Sequence, residues 1–225
     1  MNAEAKDTSR RVGMTAGRIV DAAVELSAEV GLHGWSQRDL AKRLDVAPSV
    51  LYHHIGGQDQ VISGVLERLL DGLEAPDAEL PWQDWFRELL YPIRPMLLRF
   101  PGAARWLLLH APAFPAVTAV FDTGIAALAR DGVAQPALAA TTIIDTAMMA
   151  ITLHDDRAGA QGGPRDHRAI LEGFAAAREG SSSAGQLIDE VIAPLAEDSA
   201  DDVLEQHYRF LLESLMAGIA ARPAG

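Results

Sequence analysis

The chain contains no cysteine. It therefore forms no disulfide, no thiolate metal site and no cysteine nucleophile, and this composition fits a protein of the reducing cytoplasm. Aromatic residues are also few, at 6% of the chain, whereas Ala and Leu are abundant. Because strands are enriched in aromatic and β-branched residues, this balance favours helices over strands.

Long hydrophobic runs are missing as well. No stretch approaches the roughly 18 uninterrupted apolar residues of a membrane span, and residues 1–15 lack the apolar segment of a secretory signal. The 225 residues, 49% of them hydrophobic, can still bury a sizeable core in one or two domains. We expect a cytoplasmic protein with no membrane partner.

Positive charge is scarce, and the net charge is −12. The imbalance is uneven: residues 1–72 carry 8 basic and 10 acidic side chains, whereas residues 73–225 carry 11 and 21. Such a chain does not coat nucleic acid non-specifically. A small domain near the amino terminus can nevertheless contact a few phosphates.

Helical signals divide the first part of the chain. Apolar residues at helical spacing follow Thr15 and stop at Gly31, and Ser36 then begins a second helix with Asp39 as its capping partner. Asp45 follows the second helix, where the chain must turn. Asp suits this position because it tolerates left-handed backbone geometry. A short third helix follows from Pro48 to Gly56-Gly57, and a fourth covers residues 58–73.

The segment 74–81 contains two prolines and no apolar run, which indicates a domain junction. We therefore expect an all-α protein with a mobile arm (1–14), a helix-turn-helix domain (15–74) and a larger helical domain (75–225). In the last of these, the patterns predict helices over 82–100, 102–110, 116–130, 136–155, 166–178, 186–195 and 199–221, with Gly-rich loops at 157–165 and 180–185.

The third helix carries the clearest functional signal. Ser49, Tyr52 and His53 lie at i, i+3 and i+4 and so share one face, while Val50 and Leu51 take the inward side. Two short helices joined by a tight turn, with hydroxyl and imidazole groups outward, suit a DNA major groove. Two alternatives remain: Tyr52 covers the edge of a core, or the two histidines form a surface pair. A metal site would need a third ligand at sensible spacing, and none is present.

Residues 15–61, TAGRIVDAAVELSAEVGLHGWSQRDLAKRLDVAPSVLYHHIGGQDQV, resemble the DNA-binding domain of the TetR family of bacterial repressors. The resemblance implies DNA contacts from the starts of the second and fourth helices and from the third helix: Ser36, Gln37, Arg38, Pro48, Ser49, Tyr52, His53 and Gln58. Three positions depart from the family pattern, with Asp45 for Gly, Ile55 for Phe and Gln58 for Lys. The last removes one charged phosphate contact.

Residues 82–90, WQDWFRELL, and the helix order after them are similar to the tetracycline-repressor branch. That branch implies a ligand pocket in each subunit, and the bulky or adaptable side chains offered for it are Leu89, Ile93, Met96, Trp106, His110, Phe114, Phe121, Met148 and His154. Ordinary core packing is the alternative for each of them. The fourth helix lacks the histidine that a metal–tetracycline chelate requires in that branch, so we expect an apolar or aromatic effector.

The last helix repeats Leu204, Leu211 and Gly218 at seven-residue spacing, beside small residues. With residues 136–155, the segment 199–221 is expected to form a four-helix interface in a homodimer, as the branch also implies; burial within one subunit is the alternative. The resulting hypothesis is a regulator of transcription, a repressor released from a palindromic double-stranded operator by a small molecule. An activator or an effector-independent regulator would have the same DNA-binding domain.

An enzyme is the competing class, because His154 precedes Asp155-Asp156. Gly-rich sequence follows at once, which favours a solvated helix end. The chain has no nucleophile elbow, phosphate loop or metal-ligand spacing. We therefore expect neither catalytic residues, nor a bound metal, nor a cofactor.

Overall fold

The computed structural model describes residues 14–111, 113–157, 182–193 and 200–222, and every regular element in these ranges is a helix. In chain order they are α1 (Ala16–Val30), α2 (Gln37–Leu44), α3 (Pro48–Ile55), α4 (Gln58–Leu70), α5 (Trp82–Leu98), α6 (Ala103–His110), α7 (Pro115–Arg130), α8 (Pro136–Arg157), α9 (Ser182–Leu187) and α10 (Ala200–Ala220). The π-helical turn Ile188–Ile192 continues α9. The all-α prediction is confirmed.

Capping side chains define where the first two helices begin. The Thr15 hydroxyl accepts a hydrogen bond from the Arg18 backbone N–H at 3.2 Å. Ser36 and Asp39 cap each other: the Asp39 carboxylate accepts from the Ser36 N–H at 2.9 Å, and the Ser36 hydroxyl accepts from the Asp39 N–H at 3.3 Å. These bonds satisfy backbone donors that lack a partner inside the helix.

The tight turn between α2 and α3 has the geometry that the sequence predicts. Asp45 takes left-handed backbone angles, with φ 54° and ψ 47°, and Val46 donates its N–H back to Ala41 at 3.0 Å. Pro48 occupies the first turn of α3, and Gly56 ends that helix with φ 89°. The two helices are thereby held in the relative orientation of a helix-turn-helix.

The core of this first part lies among α1, α2, α3 and α4. Ile19, Leu40, Leu51 and Val65 are fully buried there. The indole N–H of Trp35 is also buried, and it donates to the Ser27 hydroxyl at 2.9 Å. All four helices thus support the position of α3.

In the larger part, α8 packs against α5, α6, α7 and α10. Helix α5 continues through Pro92 and Pro95 and buries Trp85 and Phe86. By length and composition α8 could cross a membrane, as the core helices of soluble proteins also could, and only 33% of that apolar window is buried within one chain. An apolar helix with exposed sides is typical of a subunit interface.

Most helix boundaries lie within two residues of the predictions, and the end of α4 and the start of α9 differ by more. Helix α4 ends at Leu70 rather than at residue 73, and Gly72 follows with φ 104°. The predicted loop at 180–185 is wrong from Ser182 onward, because α9 begins there. Serine readily starts a helix. The glycines at both ends of the segment favoured a loop in the sequence and hid this helix start. The predicted glycine-rich loop beyond Arg157 and the helix at 166–178 lie outside the described residues.

Gly124 of α7 packs closely against the Trp85 ring. A Cβ at this position would lie 2.9 Å from Cζ3 and 3.0 Å from Cη2 of that ring. Trp85 is fully buried, so its ring cannot move away to make room. We expect Gly124→Ala to lower the free energy of unfolding by about 1–3 kcal/mol, measured by urea titration. Gly17→Ala, whose new methyl has room, is the control and should change stability little; equal stability of the two variants would contradict the packing argument.

Candidate nucleic-acid interface and ligand cavity

The outer face of α3 is open to solvent. Tyr52 is 68% exposed, and Ser49 and His53 are exposed beside it, whereas Leu51 on the opposite side is fully buried. The His53 ring meets that of His54 edge-on, with centroids 5.6 Å apart. Tyr52 therefore does not cover a core edge, and α3 offers hydroxyl and imidazole groups outward.

The other predicted DNA-contacting residues surround this face. Ser36 and Arg38 at the start of α2 are exposed, as is Pro48 at the start of α3. We define the DNA-reading face by its members: Ser36, Gln37, Arg38, Pro48, Ser49, Tyr52, His53 and Gln58. The starts of α2 and α3 present backbone N–H groups, which favour phosphate.

Gln37 and Gln58 have positions in this face and also hold it together. The Gln37 side-chain amide donates to the Gly56 carbonyl at 3.0 Å, and that of Gln58 donates to the Trp35 carbonyl at 2.9 Å. These bonds tie the end of α3 and the start of α4 to the start of α2. Each amide retains a second N–H that can meet a phosphate.

Few basic side chains on this part of the chain are available to DNA. Arg43 is paired with Glu29 at 2.5 Å, and Arg68 with Asp21 at 2.5 Å. Arg38 and Lys42 are exposed and make no ion pair within the part of the chain that the structure describes. This scarcity of available basic side chains leaves room for only a few phosphate contacts, and the contacts themselves stay a prediction.

A cavity of about 330 Å³ lies in the larger part of the molecule. It is formed by α5, α6, α7, α8 and the end of α4, and its size is within the range of small-molecule sites. Its lining is mostly hydrocarbon: Leu70, Leu73, Leu89, Leu90, Ile93, Leu107, Leu108, Ala111, Ala113, Val117, Val120, Phe121, Ile144 and Met148, with Thr118, Asp122 and Asp145 as the polar members.

Of the nine predicted pocket residues, four line this cavity: Leu89, Ile93, Phe121 and Met148. The other five, Met96, Trp106, His110, Phe114 and His154, lie outside its lining. Trp106 instead stacks on His110, with ring centroids 4.2 Å apart, and Phe114 lies parallel to it at 6.5 Å. Aromatic rings on one helix and the loop after it thus pack on one another rather than around the cavity.

His154 belongs to a buried polar network between helices. Arg94 of α5 donates to its ring Nδ1 at 3.2 Å and to Glu205 of α10 at 3.3 Å, and the guanidinium lies 5.6 Å from the Tyr208 ring centroid. The neighbouring Asp155 accepts from the Gly102 backbone N–H at 2.9 Å. The solvated helix end expected from sequence is wrong here, because these groups hold α5, α6, α8 and α10 together.

Most of the cavity lining was not predicted from sequence, including two leucines at or just after the end of α4 and two acids. Leu70 and Leu73 extend from α4, and Asp122 and Asp145 place carboxylates in an apolar lining. Burial raises the pKa of Asp145 above its ordinary value. An acid inside the apolar pattern of residues 136–155 was the available signal, but periodicity alone does not say which side of the helix faces a void.

Asp155 provides a pH-dependent test of the network. Burial, opposed by the Gly102 N–H, raises its pKa to about 6, so its charged form is disfavoured in the fold. Asp155 therefore makes its full contribution to folding stability at pH values below 3.8, its pKa in the unfolded chain. That contribution is lost as the pH rises through about 6. We expect Asp155→Asn, which keeps the acceptor, to be more stable than the parent by about 1–2 kcal/mol near neutral pH.

That advantage should shrink as the pH falls toward 3.8. Chemical unfolding at several pH values measures it, with the exposed Glu88→Gln as a charge-matched control that should show no such trend. A variant that falls further below the parent in stability as the pH rises would mean that the Asp155 charge itself stabilises the fold.

The sequence of this chain is similar to those of known regulators. Residues 19–63 match the family described as "Bacterial regulatory proteins, tetR family". An HTH-type transcriptional regulator of Saccharopolyspora erythraea is 29% identical over 162 residues, which cover 68% of this chain and 69% of that protein. The class D tetracycline repressor of Escherichia coli is 29% identical over 90 residues, 39% of this chain and 41% of the repressor.

Solved structures resemble the whole architecture. The Streptomyces coelicolor TetR family protein ActR in complex with actinorhodin superposes with a TM-score of 0.68 at 20% identity, over 93% of this chain and 98% of ActR. TetR from Acinetobacter baumannii AYE has a TM-score of 0.65 at 22% identity, over 91% of this chain and 96% of that one. At such identities the likeness shows the fold.

The matched segment begins in α1, ends in α4 and contains the whole helix-turn-helix. Both curated relatives are described as regulators, one as a transcriptional regulator and one as a repressor. The exposed face of α3, the family match and the shared fold agree with one another. Residues 19–63 match the DNA-binding domain of the TetR family, and the relatives and solved structures together support a transcription regulator of that family.

Proposed function

We propose that this protein is a repressor that leaves its operator when a small molecule fills the cavity. The observation that carries the proposal is that α4 reaches both places. Gln58 at its start belongs to the DNA-reading face, and Leu70 at its end, with Leu73 beyond it, lines the cavity. A molecule that enters the cavity therefore touches the helix that ends the DNA-binding domain.

A second route joins the cavity to the same domain through α6. Leu107 and Leu108 of α6 line the cavity, and just before the helix Pro101 accepts the Leu32 backbone N–H at 2.8 Å. A shift of α6 would thus act on the loop that follows α1. The strength of the coupling equals the difference in ligand affinity between the DNA-competent and released arrangements.

Two copies of the chain would supply two reading faces. Leu138 and Met149 of α8 and Phe210 of α10 are more than half exposed, at 58%, 53% and 70%. Between the two helices runs a groove lined in part by Leu138, Leu215 and Gly218. Pairing α8 and α10 with the same helices of a second copy would cover these apolar side chains.

A dimer of this kind would bind a palindromic operator with half-sites about 34 Å apart, or a multiple of that. Binding to operator DNA also places the site of action in the cytoplasm. ActR, which shares the fold, holds actinorhodin, and the tetracycline repressors are named for their drug. We extend ligand control of this kind, but neither ligand, to the present chain.

The proposal is tested with duplex DNA selected from a random pool by the purified protein. Dansyl hexylamide, whose fluorescence rises in apolar surroundings, serves as a cavity probe. We expect it to bind and to weaken the affinity for the selected duplex about tenfold or more, the usual range of allosteric coupling.

A variant with a filled cavity provides the matched comparison. Val117→Trp on α7 should bind the duplex normally and no longer respond to the probe, because Val117 lines the cavity. Ala119→Trp, on the exposed side of the same helix, should respond like the parent. Failure to select any duplex, or unchanged DNA affinity with the probe bound, would overturn the repressor proposal.

A further inference from the structure

The cavity contains two acids and no base. Asp145 of α8 and Asp122 of α7 both line it, and no Lys, Arg or His does so among the described residues. Neither carboxylate has a hydrogen bond or an ion pair within that part of the chain. The remaining lining is hydrocarbon except for Thr118, whose hydroxyl donates to the Pro115 carbonyl at 2.9 Å.

Several charged groups elsewhere in the same part of the molecule have partners that these two acids lack among the described residues. Arg94 is bonded to His154 and Glu205, and Arg87 forms two hydrogen bonds of 2.7 Å to Glu213. Asp145 is half-buried against apolar groups, where a carboxylate loses hydration without compensation. A positive group that enters beside it would restore that compensation.

From this arrangement we propose that the effector is an amphipathic organic cation, an apolar body that carries one protonated nitrogen. The proposal rests on the ligand-released repressor described above and names its ligand class. The body fills the hydrocarbon lining, and the nitrogen pairs with Asp145 and Asp122. At the half-buried Asp145 the ion pair is strengthened, because the apolar groups around that carboxylate displace part of its water.

The positions of the acids also orient the ligand. Thr118 and Asp122 are one turn apart on α7 and exposed, so they mark the mouth, and Asp145 lies deeper on α8. The buried Leu70 and Leu90 lie at the inner side. A ligand with its nitrogen toward the mouth therefore presses its apolar end against the end of α4, the helix that reaches the DNA-reading face.

Other charge types fit the cavity less well. A hard inorganic cation requires about six oxygen ligands, and the lining beyond the two carboxylates and one hydroxyl is mostly hydrocarbon. An anionic ligand would meet two carboxylates and a larger domain that carries 21 acidic against 11 basic residues. The apolar or aromatic effector expected from sequence describes only the body of the proposed ligand.

Three dansyl probes that differ only at the tail end test this inference. The amides of cadaverine, hexylamine and aminocaproate end in an ammonium, a methyl and a carboxylate group. We expect the ammonium probe to bind the parent protein about tenfold or more tightly than the methyl probe, equivalent to about 1.4 kcal/mol. The carboxylate probe should bind weakest, and the ammonium probe should release the selected duplex at the lowest concentration.

Neutral variants assign the preference to the two acids. In Asp122→Asn/Asp145→Asn the ammonium and methyl probes should bind equally, and the methyl probe should keep its parental affinity, which also shows that the cavity is folded. The exposed single variant Asp122→Asn should lose part of the preference. Glu88→Gln removes an acid outside the lining and should retain all of it.

The outcomes separate this inference from the proposal beneath it. If the methyl probe matches the ammonium probe in the parent protein and still releases DNA, the cation inference is wrong and the ligand-released repressor stands. The same holds if the double variant keeps the full preference. If none of the probes binds while the duplex is bound, both the effector site and its ligand class are overturned.

Discussion

Tyr52→Ala is expected to reduce affinity for the selected duplex about 100-fold or more, with fold and dimer intact. Tyr52 is 68% exposed in the DNA-reading face, and buried Leu51 anchors α3 beneath it. A tyrosine at the centre of an interface commonly contributes several kcal/mol, and each dimer would lose two. Fluorescence anisotropy of the labelled duplex at fixed salt measures the effect.

Two further variants sharpen this prediction. Tyr52→Phe keeps the ring and removes the hydroxyl, so it separates apolar contact with DNA from hydrogen bonding to a phosphate or base. Leu109→Ala truncates another exposed side chain, on α6, and should leave DNA affinity unchanged. Normal binding by Tyr52→Ala would show that α3 does not read the duplex through this face.

Leu138→Arg is expected to dissociate the dimer and, through it, to weaken operator binding about 100-fold or more. Leu138 of α8 lies in the groove with Leu215 and Gly218 of α10, where a second copy would cover it. An arginine there would have to be buried without a partner, which costs several kcal/mol at an interface. The monomer then binds through a single reading face and lacks the added affinity that a second, linked reading face provides.

Sedimentation velocity gives the subunit mass, and anisotropy gives the DNA affinity of the same sample. Leu109→Arg is the control, because it makes the same substitution at an exposed leucine outside the groove. This variant should remain dimeric and bind DNA. A Leu138→Arg protein that stays dimeric would place the interface elsewhere on the molecule. A monomeric parent that binds the duplex tightly would remove the symmetric operator from the proposal.

Local chemistry explains why the DNA-binding part could be predicted closely from sequence. Ser36 with Asp39, Asp45 in a left-handed turn and Pro48 in the first helical turn act over a few residues, so their effect does not depend on distant packing. The exposure of Tyr52 likewise follows from helical spacing once Leu51 is assigned to the core.

The cavity was less predictable because its lining comes from five helices that meet only in the fold. Trp106, His110 and Phe114 have suitable chemistry for a pocket, but they stack on one another. His154 likewise suited a polar handle, and it binds Arg94 instead. Which side of each helix faces a void depends on how neighbouring helices pack, and no single-helix pattern contains that information.

The sequence by itself determined the helical class, the helix-turn-helix and the outward groups on its third helix, because capping, turn geometry and periodicity are properties of short segments. Tertiary structure alone decided that α4 joins the predicted reading face to a cavity and that two acids without partners among the described residues lie in that cavity. These features depend on residues far apart in the chain, such as Leu70, Asp122 and Asp145, and their proximity is a consequence of packing.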